Sequence, residues 1–259
     1  MYAIEFDNVL KRFPKASYNA VNNVSLAIEE GEFITIVGTS GCGKTTLLKM
    51  VNRLYEADSG VIRLFGDDIA QEDPVRLRQG IGYVIQQIGL FPHMTIFDNI
   101  AVVPRILKWE QRRIKARVEE LLELVNLPAR EFARRHPAEL SGGQQQRVGL
   151  ARALAVDPRV MLLDEPFGAI DAINRAKLQN ELHEVHLRQK ESGEARRTYL
   201  FVTHDIAEAF KLGSRTLIMH QGDVQQFDAP QNIIEHPAND FVRNLLISSG
   251  VFLHEGEGI

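Results

Sequence analysis

Residues 33–51 read FITIVGTSGCGKTTLLKMV, an apolar run of strand length that enters a glycine-studded turn carrying one lysine and then a helical pattern. Gly38, Thr39, Ser40, Gly41, Cys42, Gly43, Lys44 and Thr45 satisfy G-x-x-x-x-G-K-[ST] in the strand-to-helix context that gives the pattern meaning. The composition follows from what such a turn must hold. Glycines let successive backbone N–H groups turn inward as an anion nest, and a helix starting near Lys44 adds the positive end of its dipole. Lys44 reaches β- and γ-phosphates, and the Thr45 hydroxyl is placed for Mg²⁺. Cys42 fits as a small residue whose position beside bound phosphate makes the site sensitive to thiol reagents.

Three further apolar runs, GYVIQ at 82–86, VMLLD at 160–164 and YLFVTH at 199–204, share the continuous hydrophobicity of strands covered on both faces. With FITIV they predict a doubly wound α/β core. Ligands in such sheets bind at the carboxyl ends of the strands, and each run closes on a polar residue. Asp164 is suited to hold Mg²⁺, largely through water, and Glu165 to polarise an attacking water. His204 is placed to contact a γ-phosphate and Gln86 to sense metal and water. Four strand ends converging on one loop outweigh the bland reading of each as a surface residue.

Met1 to Glu32 and Gly60 to Asp68 alternate apolar with polar residues, predicting a small antiparallel layer. Ile114, Val118, Leu121, Leu122 and Val125 recur at helical spacing before Pro128, predicting an amphipathic helix inside a mostly helical insert at about 87–140. From Asn239 an apolar helix leads into a glycine-rich, acidic end, so 1–245 is expected as one domain and 246–259 as a tail. Ser141, Gly142, Gly143 and Gln144 form a second glycine turn opening another helix, about a hundred residues after the first. One nucleotide already has its cradle, so this second anion site suggests a second copy of the chain, two nucleotides being sandwiched across a two-fold axis.

Of the 259 residues 44% are hydrophobic, enough for a substantial core, and the net charge of -4 gives no electrostatic case for a nucleic-acid partner. Arg130, Arg134 and Arg135, with Arg196 and Arg197, read as solvated faces. A single cysteine excludes an internal disulfide. No apolar run approaches the roughly 20 residues of a membrane span, and no signal peptide is visible, so any membrane role has to come through a partner.

Taken in order, GTSGCGKTT, IGYVIQQIGLFPHMTI, LSGGQQQR, VMLLDEPFGAID and FVTHD resemble the nucleotide-binding subunit of an ABC transporter over about residues 2–245. The resemblance implies a P-loop NTPase, RecA-like core that hydrolyses ATP with Mg²⁺. It implies that Gly38 to Thr46 form the phosphate loop and that Ser141, Gly142, Gly143 and Gln144 act on a partner's nucleotide. Asp164 and Glu165 become the metal and catalytic carboxylates, assisted by Gln86 and His204, while Asp171 communicates across the homodimer. Adenine stacking falls to Phe13 or Tyr18. A separate membrane permease would dock near Gln86 to Ile96, where Ile88, Leu90, Phe91 and Met94 surround Pro92, with an extracytoplasmic solute-binding protein acting indirectly at the other side of the membrane. GLFPHMTI is similar to the import branch, and KMVNRL with YVIQQIGLFPHMTIFDNI is similar to ATPases that drive uptake of glycine betaine, choline or carnitine. Amino acids or other small polar solutes are the alternative cargo, and a soluble ABC ATPase of DNA repair or translation is the alternative class. Members of the osmoprotectant group often add regulatory CBS modules, which are not expected within these residues. The expected location is the cytoplasmic face of the cell membrane.

Overall fold

The computed structural model describes residues 1–14, 16–86, 89–168, 170–192 and 197–251. Residues 252–259 of the expected tail, Ile88 of the docking run and Arg196 lie outside the described residues, whereas Leu246, expected to open the tail, belongs to a helix and is fully buried. The chain divides into two compact units, Met1–Leu77 with Thr198–Ile259, and Arg78–Arg197. In chain order the first unit begins with β1 (Tyr2–Lys11), β2 (Val21–Glu29), β3 (Phe33–Gly38), α1 (Lys44–Val51), β4 (Ser59–Leu64), β5 (Asp67–Asp68) and α2 (Pro74–Gln79). The second holds β6 (Ile81–Val84), α3 (Ile96–Ile106), α4 (Gln111–Leu124), α5 (Ala129–Phe132), α6 (Gly142–Leu154), β7 (Val160–Asp164) and α7 (Ala172–Ser192). The chain then completes the first unit with β8 (Thr198–Val202), α8 (Ile206–Leu212), β9 (Arg215–His220), β10 (Asp223–Asp228), α9 (Pro230–Glu235) and α10 (Asp240–Ser248).

In the first unit the early alternating segments pair as an antiparallel sheet in the order β2-β1-β4-β5. β3 lies between β8 and β9 and is parallel to both, while β10 closes antiparallel on β9. The five apolar-run positions of β3 and all of β8 are buried, as strands covered on both faces require. Phe33 stacks on Tyr199 with ring centroids 4.9 Å apart and tilts against Phe201. Thr35 is fully buried yet satisfied, sharing a 2.8 Å hydrogen bond with the Thr216 hydroxyl and lying 3.2 Å from the Ala209 carbonyl. Val242 and Leu246 of α10 close this core against Val37, Ile206, Ile218 and Ile233.

In the second unit β6 and β7 run parallel, Ile81 beside Val160 and Val84 beside Leu163. Gly82 is required there, because a Cβ would fall 2.2 Å from Met161 Sδ and 2.7 Å from the Ala153 carbonyl. α4 buries Ile114, Val118, Leu121 and Leu122 on one face. It ends at Leu124, before Pro128, because Asn126 turns left-handed with φ 54°. Residues 87–140, the expected insert, contribute α3, α4 and α5 to this larger unit. Two strand ends differ from expectation. β6 stops at Val84 and β8 at Val202, so Gln86 and His204 stand two residues beyond their strands. For His204 the reason is local: Thr203 N–H still donates to the Ile36 carbonyl at 3.1 Å, but Asp205 then caps α8 and turns the chain.

Replacing Phe33 by Ala removes a ring packed against two others and is expected to cost about 3–5 kcal/mol, read as a lowered urea midpoint with unchanged slope.

Candidate functional site

The turn after β3 is held by close backbone approach within the first unit. A Cβ on Gly43, whose φ is 109°, would sit 1.9 Å from the Ala20 carbonyl oxygen, and one on Gly38, φ 149°, would sit 2.1 Å from that of Met219. The Gly222 N–H donates to the Cys42 carbonyl at 3.0 Å, and its own carbonyl accepts from Asn22 N–H at 2.9 Å. Three backbone segments, 19–22, 38–43 and 219–222, therefore interlock. Gly41 is also left-handed, φ 76°, but only the Tyr18 hydroxyl lies near its absent Cβ, at 3.6 Å, so its side faces space. Lys44, 8% exposed, folds back so that its ammonium donates to the carbonyls of Gly38 at 2.9 Å and Thr39 at 3.1 Å. Gly43 is the N-cap of α1, which starts at Lys44 as expected and carries Thr45 and Thr46 in its first turn. Ser40 is exposed beside them.

The two aromatic alternatives occupy different places. Phe13 is half-buried and meets Tyr55 edge-on at 5.2 Å, with the Lys11 ammonium over its ring. Tyr18 is exposed and its hydroxyl donates to the Gly41 carbonyl at 3.0 Å, directly on the turn. His204 is exposed between Thr203, whose hydroxyl donates to the Glu208 carboxylate, and the capping Asp205.

In the second unit Asp164 ends β7 with 2% exposure, and Glu165 follows in a left-handed conformation, φ 47°. That backbone costs a non-glycine residue about 1–2 kcal/mol. It presents the Glu165 carboxylate to Gln86, whose side-chain amide donates to it at 2.9 Å. The second glycine turn is built by a capping box: Ser141 accepts from Gln144 N–H at 3.3 Å, and the Gln144 side chain accepts from Ser141 N–H at 2.9 Å. Among the described residues, a Cβ on Gly142 would meet nothing within 4 Å and the nearest atoms to one on Gly143 belong to Ile170, at 3.8 Å, so neither glycine is sterically required by them. Next to Ile170, Asp171 is exposed and caps α7, accepting from Asn174 N–H at 3.1 Å and from the Asn174 side-chain amide at 2.6 Å. Those two bonds hold its carboxyl below the usual carboxylate range.

Of the expected docking run, Phe91 is exposed, Leu90 and Met94 are half-buried, and Ile96 is fully buried in the core. Beside this run α3, α4 and α5 border a cleft of about 1160 Å³ lined by Phe97, Asp98, Arg112, Lys115, Arg130 and Arg134. Sequence reasoning passed over two polar residues that shape the run. Asn99 is fully buried in an otherwise apolar helix face, the signal that singles it out in FDNIAVV, and Arg152 reaches Gly89.

Residues 21–168 match the family described as ABC transporter, a span that includes both glycine turns, Gln86 and the Asp164–Glu165 pair. The chain belongs to the ABC transporter family. Within that family it is 51% identical over 94% of its length to the carnitine transport ATP-binding protein OpuCA of Listeria monocytogenes, covering 59% of that protein. It is 48% identical over 95% of its length to the osmoprotectant import ATP-binding protein OsmV of Salmonella typhimurium, covering 67% of it. The chain thus spans about three fifths of the length of the first of these ABC relatives. Among solved structures, the dimeric post-hydrolysis state of the ATP-binding cassette MJ0796 bound to ADP and Pi is similar with a TM-score of 0.78 and 33% identity, covering 87% of this chain and 98% of that one. The likeness establishes the P-loop NTPase architecture.

Contrary to the expected sensitivity to thiol reagents, Cys42 is 1% exposed, and burial pushes its thiol up, partly opposed by the neighbouring Lys44 ammonium. A raised thiol carries less thiolate at neutral pH. Its reaction with DTNB at pH 7.5 is therefore expected to be much slower in the native protein than after unfolding in guanidinium chloride.

Proposed function

We propose that the chain is the ATP-hydrolysing subunit of an ABC importer, two copies of which close on ATP and drive a separate membrane permease. The phosphates are bound by the Gly38–Thr46 turn, where the start of α1 and the Lys44 ammonium suit a polyanion. Phe13 stacks on adenine, with Tyr18 as the second candidate.

The observation that carries the catalytic reading is the 2.9 Å contact of the Gln86 amide with the Glu165 carboxylate. Two side chains able to direct a water are fixed against one another, one of them on strained backbone of the kind found at functional sites. Glu165 takes the role of water-orienting base, Gln86 positions it, and His204 contacts the γ-phosphate. Asp164 with Thr45 and Gln86 supplies hard oxygen donors of the type Mg²⁺ takes, a buried carboxylate among them. Residues of this kind would hold Mg²⁺, which would supply charge to offset that of the phosphates. Lys44 supplies a second, fixed positive charge.

The bare glycines at 142 and 143 support the homodimer. Their backbone N–H groups open α6 with space around them, which suits close approach of a phosphate from a second copy. Asp171, fixed by Asn174, stands next to Ile170 beside this turn and takes the role of communicating across the dimer.

A permease segment docks on the Gln86–Ile96 side of the second unit, where Phe91 is exposed and the cleft of α3, α4 and α5 opens. No helix among the described residues is long and apolar enough to cross a membrane, so attachment to the cytoplasmic face runs through that permease. The cargo is a quaternary ammonium osmoprotectant, supported by about half identity to proteins named for carnitine, choline and osmoprotectant transport. An extracytoplasmic binding protein would deliver it. None of these relatives supports the DNA-repair or translation reading.

Glu165→Gln is expected to bind ATP with near-native affinity and to hydrolyse it at least about a hundredfold more slowly, the contribution of a positioned base. Steady-state phosphate release measures this, and turnover close to the native rate would overturn the assignment.

A further inference from the structure

We propose that Arg152 is a positioning residue that ties the exposed loop 89–95 to the helix bearing the second glycine turn, so that movement at either end is carried to the other. The proposal rests on the reading that this turn meets ATP on a second copy.

The loop is held as one body. Phe91 N–H donates to the Asn99 side-chain oxygen at 2.8 Å, and the Asn99 amide donates to the carbonyls of Phe91, Met94 and Thr95 at 3.1, 3.2 and 3.0 Å. Asn99 is fully buried in α3, so the loop and the start of that helix share one set of hydrogen bonds. The other end is pinned from α6. Arg152, in the last turn of that helix, donates from its guanidinium to the Gly89 carbonyl at 2.9 Å. The same guanidinium lies 5.8 Å from the centre of the Phe91 ring.

The chemistry of this contact argues for more than filling space. Burial pushes the Arg152 guanidinium below its usual value, so holding a charge there is costly. A leucine or methionine would pack the same place without that cost. What the arginine adds is a directed bond from α6 to a backbone carbonyl of a loop whose other side-chain pins come from α3. Ser141 caps the opposite end of α6, a helix of 13 residues. At about 1.5 Å rise per residue it is a rod of roughly 20 Å with the loop pinned at one end and the glycine turn at the other. A docked partner that shifts Phe91 pulls on that rod, and a phosphate that seats on Gly142 and Gly143 pushes it back.

The test is hydrogen–deuterium exchange of the full chain in the Glu165→Gln background, with and without Mg²⁺ and ATP, comparing Arg152 with Arg152→Gln and Arg152→Lys. With Arg152 present, ATP is expected to slow exchange at 141–146 and to change it at 89–95. In Arg152→Gln the response at 89–95 is expected to vanish while that at 141–146 persists. Arg152→Lys keeps a cationic donor and is expected to recover part of the loop response, which a merely structural loss would not allow. It also carries the test if the glutamine variant fails to fold. An undiminished response at 89–95 in both variants, or no response there with Arg152 present while 141–146 slows, overturns the proposal. Failure of 141–146 to slow with Arg152 in place instead overturns the dimer reading beneath it.

Discussion

Close approach of three backbone segments is the constraint on which the first unit depends. At Gly38 and Gly43, which pass the Met219 and Ala20 carbonyls, there is no room for a side chain, and the neighbouring turn at Gly222 would place a Cβ 2.0 Å from the Asn19 carbonyl. Left-handed backbone at Gly43 and Gly222 is cheap only for glycine. The result is a turn whose shape is set before any ligand arrives. Preorganised donors of this kind do not have to be ordered on binding, which is where much of their affinity originates.

The second unit works through polar pins rather than backbone contact. Glu165 is held on left-handed backbone facing Gln86, Ser141 and Gln144 cap one another, and Asn99 gathers the carbonyls of Phe91, Met94 and Thr95. Each sits at or near the end of a strand or the start of a helix, the places where backbone groups need partners. Positions that serve the fold are thereby separable from positions with no duty in it. Gly82 and Gly143 are both glycine, but only the first is demanded by its surroundings.

The strands are legible in the sequence because hydrophobic runs covered on both faces have little else to become, and VMLLD matches β7 residue for residue. The phosphate turn and the capping turn are legible because their glycines and caps are local. The exact strand ends before Gln86 and His204 are not, since a hydrophobic run does not record the point at which a following cap bends the chain away. Long-range polar contacts leave no trace at all. Nothing in ARAL announces that Arg152 will meet Gly89, 63 positions earlier in the chain. Gly222 reads as an ordinary turn glycine because its hydrogen-bond partners, Asn22 and Cys42, are remote in sequence. The apolar run at 88–96 reads as one exposed patch, whereas Ile96 belongs to the core while Phe91 faces out.

Under the proposed function the glycine turn after β3 is the phosphate cradle and Gln86 with Glu165 the water-directing pair, and phosphoryl transfer is catalysed mostly by positioning and electrostatics. The proposed function places the phosphates on the interlocked turn. Backbone amide NMR during a titration with Mg²⁺ and ATP tests this most directly. The largest shifts are expected on the amides of Gly41, Gly43, Lys44 and Thr45. Saturable ATP binding that leaves those amides unmoved while shifting others would contradict that placement.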